Sequence, residues 1–261
     1  MKTNLSIIFI LLFSISFGQG IPEPGVNLRD NGEYNDAINY YLNLKKEGNW
    51  DWGYKYNYTK VLALAGKIDS CFYYLNENIE EKISKQSLTD VEFIEIKNDK
   101  RWAIYEENVI KKHLPSNDLT LSAQIYRIIA LSEKDKSNIN LIIDLINKEG
   151  WPKISQVGDA SNAIFAYFGY KDSFLLKFKK DINKLKKLCL KGEINCEYFA
   201  EIYDRIQKNS NKPQKYGTIF DIDFRNNRKK IYYNIIDENK INLWRSEIGL
   251  NQLEEYSQHH K

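Results

Sequence analysis

Two glycines 34 residues apart constrain the fold of the N-terminal half more than any other feature of this sequence. The residues at positions +2, +5 and +9 after each glycine have matching character. They are Tyr34, Ala37 and Tyr41 after Gly32, and Ile68, Cys71 and Leu75 after Gly66. A repeat of this length predicts stacked helical hairpins, in which the glycine makes the turn and a small residue lets two helices approach closely.

This spacing resembles that of tetratricopeptide repeats, and we predict a tetratricopeptide-like helical module over residues 19–113. Two units are fewer than the about three that normally stabilise such an array, so a neighbouring element is required. The stretch VEFIEIKNDKRWAIYEENVIKKHL, residues 91–114, is expected to supply a closing pair of helices that breaks near Asn98 and Asp99. At the position equivalent to Ala37, Cys71 is expected to pack rather than to react.

An aromatic cluster lies at the start of the helix that leads into Gly66. Its members proposed for binding are Trp50, Trp52, Tyr54 and Tyr58. Helical repeats expose one face to partners, so this cluster predicts a recognition surface for a protein or peptide. The alternative is that the same rings fill the space between repeats.

The N-terminus has the pattern of a secretory signal. Lys2 precedes an apolar run from Leu5 to Phe17, and the small residues Ser16 and Gly18 favour cleavage after Gly18. We therefore expect an extracytoplasmic protein, periplasmic or secreted, without a stable membrane span after cleavage; an uncleaved anchor is the alternative. No cysteine precedes Cys71, which argues against a lipoprotein signal.

Composition restricts the chemistry further. Lysine and arginine number 38 against 35 acidic residues, a net charge of +3, so nucleic acid is not an expected partner. Of the three histidines only His113 is internal, and a helix-capping role is favoured for it over catalysis. Without a Cys-x-x-C motif or a Cys/His cluster, we expect neither a metal site nor a cofactor. Cys189 and Cys196 form either a disulfide or two buried thiols.

The second half begins after a break at residues 113–118 and is predicted to be helical as far as Ile206. From Tyr216 onward, apolar and polar residues alternate around Asn226-Asn227, which predicts a β-hairpin near residues 216–236. The fold class is therefore mainly α with one β-hairpin.

The lysine-rich stretch at residues 177–187 is typical of the solvated face of an amphipathic helix, and binding to an anionic surface is a weaker alternative.

Five short blocks in this half occur in the order of a bacterial family labelled as a domain of unknown function. They are Gly150-Trp151-Pro152 with Ser155, Val157, Gly158 and Asn162-Ala163; Asp204-Arg205; Gln214 with Tyr216-Gly217-Thr218; Arg245 with Ile248-Gly249-Leu250; and Tyr256. Residues 118–256 thus resemble that family. Its members carry a Gln-His pair after the Gly-Trp-Pro loop and a glutamine after Gly-Thr, and this chain has neither. The resemblance implies that an activity depending on that histidine is lost or altered here.

The polar residues of these blocks form the candidate site of an enzyme. They are Asp204, Arg205, Gln214, Tyr216 and Thr218. In a hydrolase-like site Asp204 is the expected acid or base, and Arg205 or Gln214 orients the substrate, with the arginine suited to a carboxylate or phosphate. A structural network is the alternative. Trp151 is a further candidate for binding, or else a buried plug. The favoured function is non-enzymatic binding of a protein or peptide, and the sequence specifies neither the partner nor the oligomeric state.

Overall fold

The structure is a computed structural model that describes residues 23–223 and 229–253. Within these residues the chain is mainly helical, which confirms the predicted fold class at that level. The chain divides into two compact units, residues 1–113 and 114–261. The predicted signal sequence lies outside the described residues, as do Tyr256 and the two C-terminal histidines. Among the described helices, none combines the length and the apolar character that a membrane crossing requires.

The first unit is built from α-helices joined by turns and two 3-10 helices. In chain order these are α1 (Pro24–Asp30), α2 (Tyr34–Lys46), α3 (Trp52–Leu64), α4 (Ile68–Glu77), the 3-10 helices Lys82–Leu88 and Val91–Asn98, and α5 (Lys100–His113). Consecutive helices pack against each other from α1 to α4.

Glycines in the left-handed region make the turns before α2 and α4. The φ angles are +80° at Gly32 and +68° at Gly66, values that residues other than glycine seldom adopt. The N–H of the residue after each glycine donates to a carbonyl five residues earlier, at 2.8 and 2.9 Å, which closes the preceding helix. Ala37 and Cys71, five residues after these glycines, are fully buried. Both segments of the repeated pattern therefore have the same local geometry.

The closing segment of the first unit breaks where the sequence predicts, but its first element is a 3-10 helix. Val91–Asn98 forms this 3-10 helix, and α5 begins after Asp99. Phe93 and Trp102 are fully buried, with ring centroids 6.1 Å apart. Their contact joins the 3-10 helix to α5 through aromatic packing.

The second unit contains shorter helices and one pair of strands. In chain order these are α6 (Leu119–Lys134), the 3-10 helix Lys136–Asn138, α7 (Ile139–Glu149), α8 (Ile154–Val157), α9 (Asp159–Phe168), α10 (Asp172–Lys180), α11 (Ile182–Leu190), α12 (Cys196–Asn209), β1 (Phe220–Asp223), β2 (Lys229–Tyr232) and α13 (Ile241–Ser246). Strands β1 and β2 pair antiparallel, with Phe220 opposite Tyr232. The predicted turn at Asn226-Asn227 lies outside the described residues.

Aromatic rings fill the centre of the second unit. Phe165 on α9 contacts Phe174 and Phe178 on α10, with ring centroids 6.1 and 6.4 Å apart. Phe178 in turn lies 5.7 Å from Phe199 on α12. The apolar residues spaced three and four apart in the sequence are the ones that meet here, because each helix buries one face.

Candidate functional site

The carboxylate of Asp204 is the centre of the polar group that the sequence singles out. Helix α12 places it against the segment that follows the helix. Oδ1 accepts hydrogen bonds from the N–H groups of Lys215 and Tyr216 at 2.8 and 3.0 Å. Oδ2 accepts from the N–H and the hydroxyl of Thr218 at 3.1 and 2.9 Å. Asp204 is fully buried, so these bonds replace the water that the carboxylate loses on folding.

Gln214 uses its whole side-chain amide within the same segment. Its Oε1 accepts from the N–H of Ile219 at 2.9 Å, and its Nε2 donates to the carbonyls of Ile219 and Tyr233. The backbone of Gln214 also bonds on both sides, to the Asn234 carbonyl and from the Ile236 N–H. Gln214 is fully buried. Its hydrogen bonds join the segment before β1 to the segment after β2.

Arg245 completes this network, and its role was not recognised in the sequence. Its Nη1 donates to the Tyr216 carbonyl and its Nε to the Asn251 carbonyl, both at 2.6 Å. Arg245 is 1% exposed. The available signal was its place in the block with Ile248-Gly249-Leu250. A buried guanidinium needs several acceptors to be tolerated, and the two carbonyls supply them.

Arg205 points away from this group. Its guanidinium stacks on the Tyr170 ring at 3.9 Å and contacts the Glu201 carboxylate at 3.4 Å. Adjacent helical residues point about 100° apart, so one neighbour faces the core while the other faces the surface. The structure therefore brings together Asp204, Gln214, Tyr216 and Thr218 but leaves Arg205 outside.

The environment of the buried group does not match that of an acid or base exposed to substrate. Burial raises the pKa of the Asp204 carboxyl, while its hydrogen bonds to Tyr216, Thr218 and Lys215 oppose that shift. Burial also raises the pKa of the Tyr216 hydroxyl. Tyr216 and Thr218 are themselves buried. The polar atoms of Asp204 and Gln214 bond to the protein itself, an arrangement suited to holding a loop.

Trp151 is a core residue in this structure. Its ring is 4% exposed and stacks on Phe165 with centroids 5.7 Å apart. The indole N–H donates to the Asp181 carboxylate at 2.7 Å, which satisfies its one donor. Of the two roles considered for Trp151, the geometry favours the buried plug.

The aromatic cluster of the first unit divides into a buried part and an accessible part. Tyr58 is buried, whereas Trp50 and Tyr54 are half-buried and Trp52 is 52% exposed. Trp50 and Tyr54 line an open recess of about 570 Å³ between the end of α2 and the start of α3. The remaining lining residues are Leu44, Gly48, Asn49 and Asp51.

Neighbouring rings hold Trp50 in place at the edge of this recess. Its centroid lies 5.6 Å from that of Tyr58 and 6.1 Å from that of Tyr74, both in edge-to-face arrangements. The Lys45 ammonium lies 5.3 Å from the Trp50 centroid and donates to the Tyr74 hydroxyl at 3.1 Å. A ring supported in this way loses little further freedom when a ligand binds.

The histidine and cysteines have ordinary structural surroundings. His113 is the last residue of α5, and its Nε2 lies 2.6 Å from the carbonyl oxygen of Ile79, which follows α4. Cys189 and Cys196 form a disulfide that links the end of α11 to the start of α12. The described residues contain no group of His, Cys, Asp and Glu side chains placed to hold a metal ion.

Cys71 is expected to resist alkylation in the folded protein. Its thiol is buried and donates to the Thr59 carbonyl at 3.6 Å, and burial raises its pKa to about 12. Because the thiolate is the reactive form and appears only as the pH approaches that value, labelling by iodoacetamide should stay slow up to about pH 10. Mass spectrometry of native and denatured protein checks this, with complete labelling expected only after unfolding. Rapid labelling of the native protein near neutral pH would contradict it.

Comparison of the chain with protein-family models, with curated proteins and with solved structures finds no match. The resemblance of residues 118–256 to a family of unknown function therefore stays a prediction.

Proposed function

We propose that this protein is an exported, non-enzymatic protein whose first unit is a tetratricopeptide-like module that binds a protein or peptide. The observation that carries the proposal is the accessible half of the aromatic cluster. Trp50 and Tyr54 border an open recess, Trp52 lies between them in the sequence and is 52% exposed, and the buried Tyr58 contacts the Trp50 ring. Supported, partly exposed aromatic rings are typical of recognition surfaces.

The repeat assignment is supported by the two glycine turns and the helices that follow them. Gly32 and Gly66 adopt the same left-handed conformation, and Ala37 and Cys71 are equally buried where neighbouring helices meet. The order of packing from α1 to α4 is the order in which stacked hairpins contact each other.

The chemistry of the recess suits an extended peptide segment. Two aromatic rings and Leu44 offer apolar surface, while Asn49 and Asp51 add an amide and a carboxylate at the rim. Asp51 also caps α3, since its Oδ1 accepts from the Tyr54 N–H at 2.9 Å, which fixes the rim to the helix start. The exposed lining of the recess is more polar than apolar, so a peptide finds hydrogen-bonding groups as well as aromatic surface there.

The enzymatic alternative has weaker support. A general acid or base must reach the proton that it transfers, but Asp204 is fully buried and both its oxygens bond to residues 215–218. Arg205, the expected anion holder, faces Tyr170 and Glu201 instead. We therefore assign this polar group to the stability of the second unit.

Export is proposed from the N-terminal sequence, and the disulfide agrees with it. Disulfides such as Cys189–Cys196 persist mainly in oxidising compartments outside the cytoplasm. The proposal places the protein in the periplasm or outside the cell after cleavage following Gly18.

Replacing Trp52 should weaken binding without unfolding the first unit. Peptides selected from a random displayed library on the wild-type protein provide the ligands. We expect Trp52→Ala to weaken their binding by about tenfold or more, because an exposed aromatic ring at a recognition surface often contributes more than 1 kcal/mol. Titration calorimetry measures the affinities, and circular dichroism establishes that the variant is folded.

Tyr73→Ala is the matched control for this experiment. Tyr73 is 59% exposed on α4 of the same unit and lies outside the aromatic cluster of residues 50–58, so its removal should change the affinity by less than about twofold. Failure to select any peptide, or equal affinities for wild type and Trp52→Ala, would overturn the proposed binding surface.

A further inference from the structure

The positive charge of this protein is concentrated in one segment of the second unit. Residues 171–191 contain eight lysines and two aspartates, a net charge of +6, whereas the whole chain carries only +3. The segment comprises α10 and α11. The rest of the chain is therefore slightly acidic, and a local rather than a global field must account for any attraction to anions.

Five of these lysines lie exposed on the two helices and at the end of α11. They form what we call the basic face: Lys179, Lys180, Lys184, Lys187 and Lys191. Two further lysines are neutralised, since Lys177 pairs with Asp181 at 2.9 Å and Lys186 with Glu247 at 3.7 Å. Among the described residues, none of the five lysines of the basic face forms an ion pair.

Two acidic groups close to these lysines in the sequence bond to other side chains. Asp181 accepts from the Trp151 indole as well as from Lys177, and Glu193 accepts from the Ser155 hydroxyl at 2.6 Å. Lys184 and Lys191 interact electrostatically with Asp181 and Glu193, which offsets part of their charge, while all five lysines of the basic face are exposed.

Both helices present this face away from the core. Helices α10 and α11 both pack on α12, where Phe178 contacts Phe199, and α10 also packs on α7; Leu185 of α11 is buried. The disulfide between Cys189 and Cys196 further ties α11 to α12. The buried residues of each helix mark its core-facing side, and the five lysines of the basic face are exposed.

Two exposed leucines lie on the same two helices as these lysines. Leu176 on α10 is 63% exposed and Leu190 at the end of α11 is 56% exposed. Binding to a polyanion in water gains nothing from them, whereas at a lipid surface such side chains enter the boundary between headgroups and acyl chains. Lysines near an anionic surface add electrostatic attraction to this apolar contribution.

We propose that the basic face, with Leu176 and Leu190, binds peripherally to an anionic lipid membrane. The cations are all lysines, which attract phosphate as point charges and lack the planar fork that arginine uses to recognise particular groups. The face is therefore expected to prefer any lipid surface that is negatively charged and admits apolar side chains, rather than one particular headgroup. This inference concerns the second unit and is independent of the recess in the first.

Sedimentation with lipid vesicles tests the proposal. The protein is used as exported by an expression host, with its N-terminus determined by mass spectrometry. Vesicles of phosphatidylcholine alone are compared with vesicles containing about one-third phosphatidylglycerol, at about 0.1 M and about 1 M salt. We expect binding to be at least about tenfold stronger on the anionic vesicles and to be lost at high salt.

Two pairs of variants separate the local surface from the net charge. Lys180→Glu/Lys187→Glu should weaken binding to anionic vesicles by about tenfold or more, because each cation at the surface contributes a factor of about five. Lys46→Glu/Lys67→Glu makes the same change in net charge at exposed positions of the first unit and should weaken binding less than about threefold. Equal losses in the two pairs would overturn the proposal, because the attraction would then not reside in this face.

The leucines distinguish a membrane from another polyanion. Leu176→Ser/Leu190→Ser should weaken vesicle binding by about fivefold or more and leave binding to a soluble polyanion such as heparin unchanged. Both pairs of replacements lie at exposed positions, and circular dichroism checks that each variant is folded. Vesicle binding that is insensitive to the leucines, or heparin binding tighter than vesicle binding, would show a polyanion surface and overturn the assignment to lipid.

Discussion

Replacing Asp204 by alanine is expected to destabilise the second unit by about 3 to 5 kcal/mol, because the change strands several buried donors. The carboxylate accepts from the N–H groups of Lys215, Tyr216 and Thr218 and from the Thr218 hydroxyl. Without it, these groups stay buried and have no partner of equal strength. Urea unfolding followed by fluorescence and circular dichroism measures the loss.

A second variant of Asp204 and a surface control test whether the loss of stability comes from the lost hydrogen bonds of the carboxylate. Asp204→Asn keeps the shape but turns an NH₂ group toward donors, so about 2 kcal/mol or more should still be lost. Asp144→Ala removes an exposed carboxylate from α7 and should change stability by less than about 0.5 kcal/mol. If Asp204→Ala were as stable as the wild type, the carboxylate could not be what holds residues 215–218.

Replacing Gly158 by alanine is expected to cost about 4 kcal/mol or to prevent folding of the second unit. Gly158 ends α8 with φ of +55° and ψ of −133°, a conformation nearly restricted to glycine. An added Cβ would lie 2.1 Å from the Pro115 carbonyl oxygen. Because that atom belongs to the backbone, the chain itself must move to relieve the contact.

Gly150→Ala separates steric contact from backbone strain. Gly150 has a comparable conformation, with φ of +84° and ψ of −178°, but no atom lies within 4 Å of an added Cβ. We expect Gly150→Ala to cost about 1 to 3 kcal/mol, from strain alone. Chemical unfolding of both variants gives the difference, and equal losses would show that the segment containing Pro115 adapts freely.

Local features of the fold were predictable because they depend on neighbours in the chain. The turns at Gly32 and Gly66 and the break near Asp99 follow from glycine content and from interrupted spacing. The 3-10 form of Val91–Asn98 was not predictable, because Phe93 and Ile96 are three residues apart, a spacing that fits both a 3-10 helix and an α-helix.

The candidate site was predicted in part. Asp204 and Thr218 are close in sequence, so a loop joining them was foreseeable, and the divergence of Arg205 follows from helix geometry. The bonds of Gln214 to Tyr233, and of Arg245 to Tyr216, join residues 19 and 29 positions apart. Such pairings depend on how the chain returns on itself, which composition and spacing do not specify.

By itself the sequence determined the helical class, the positions of the glycine turns and the concentration of lysines in residues 171–191. Only the tertiary structure decided that Trp52 is exposed while Tyr58 is buried, and that Asp204 faces inward while Lys187 faces solvent. The reason is physical. Periodicity specifies which residues share a helix face, but exposure depends on what other parts of the chain cover that face.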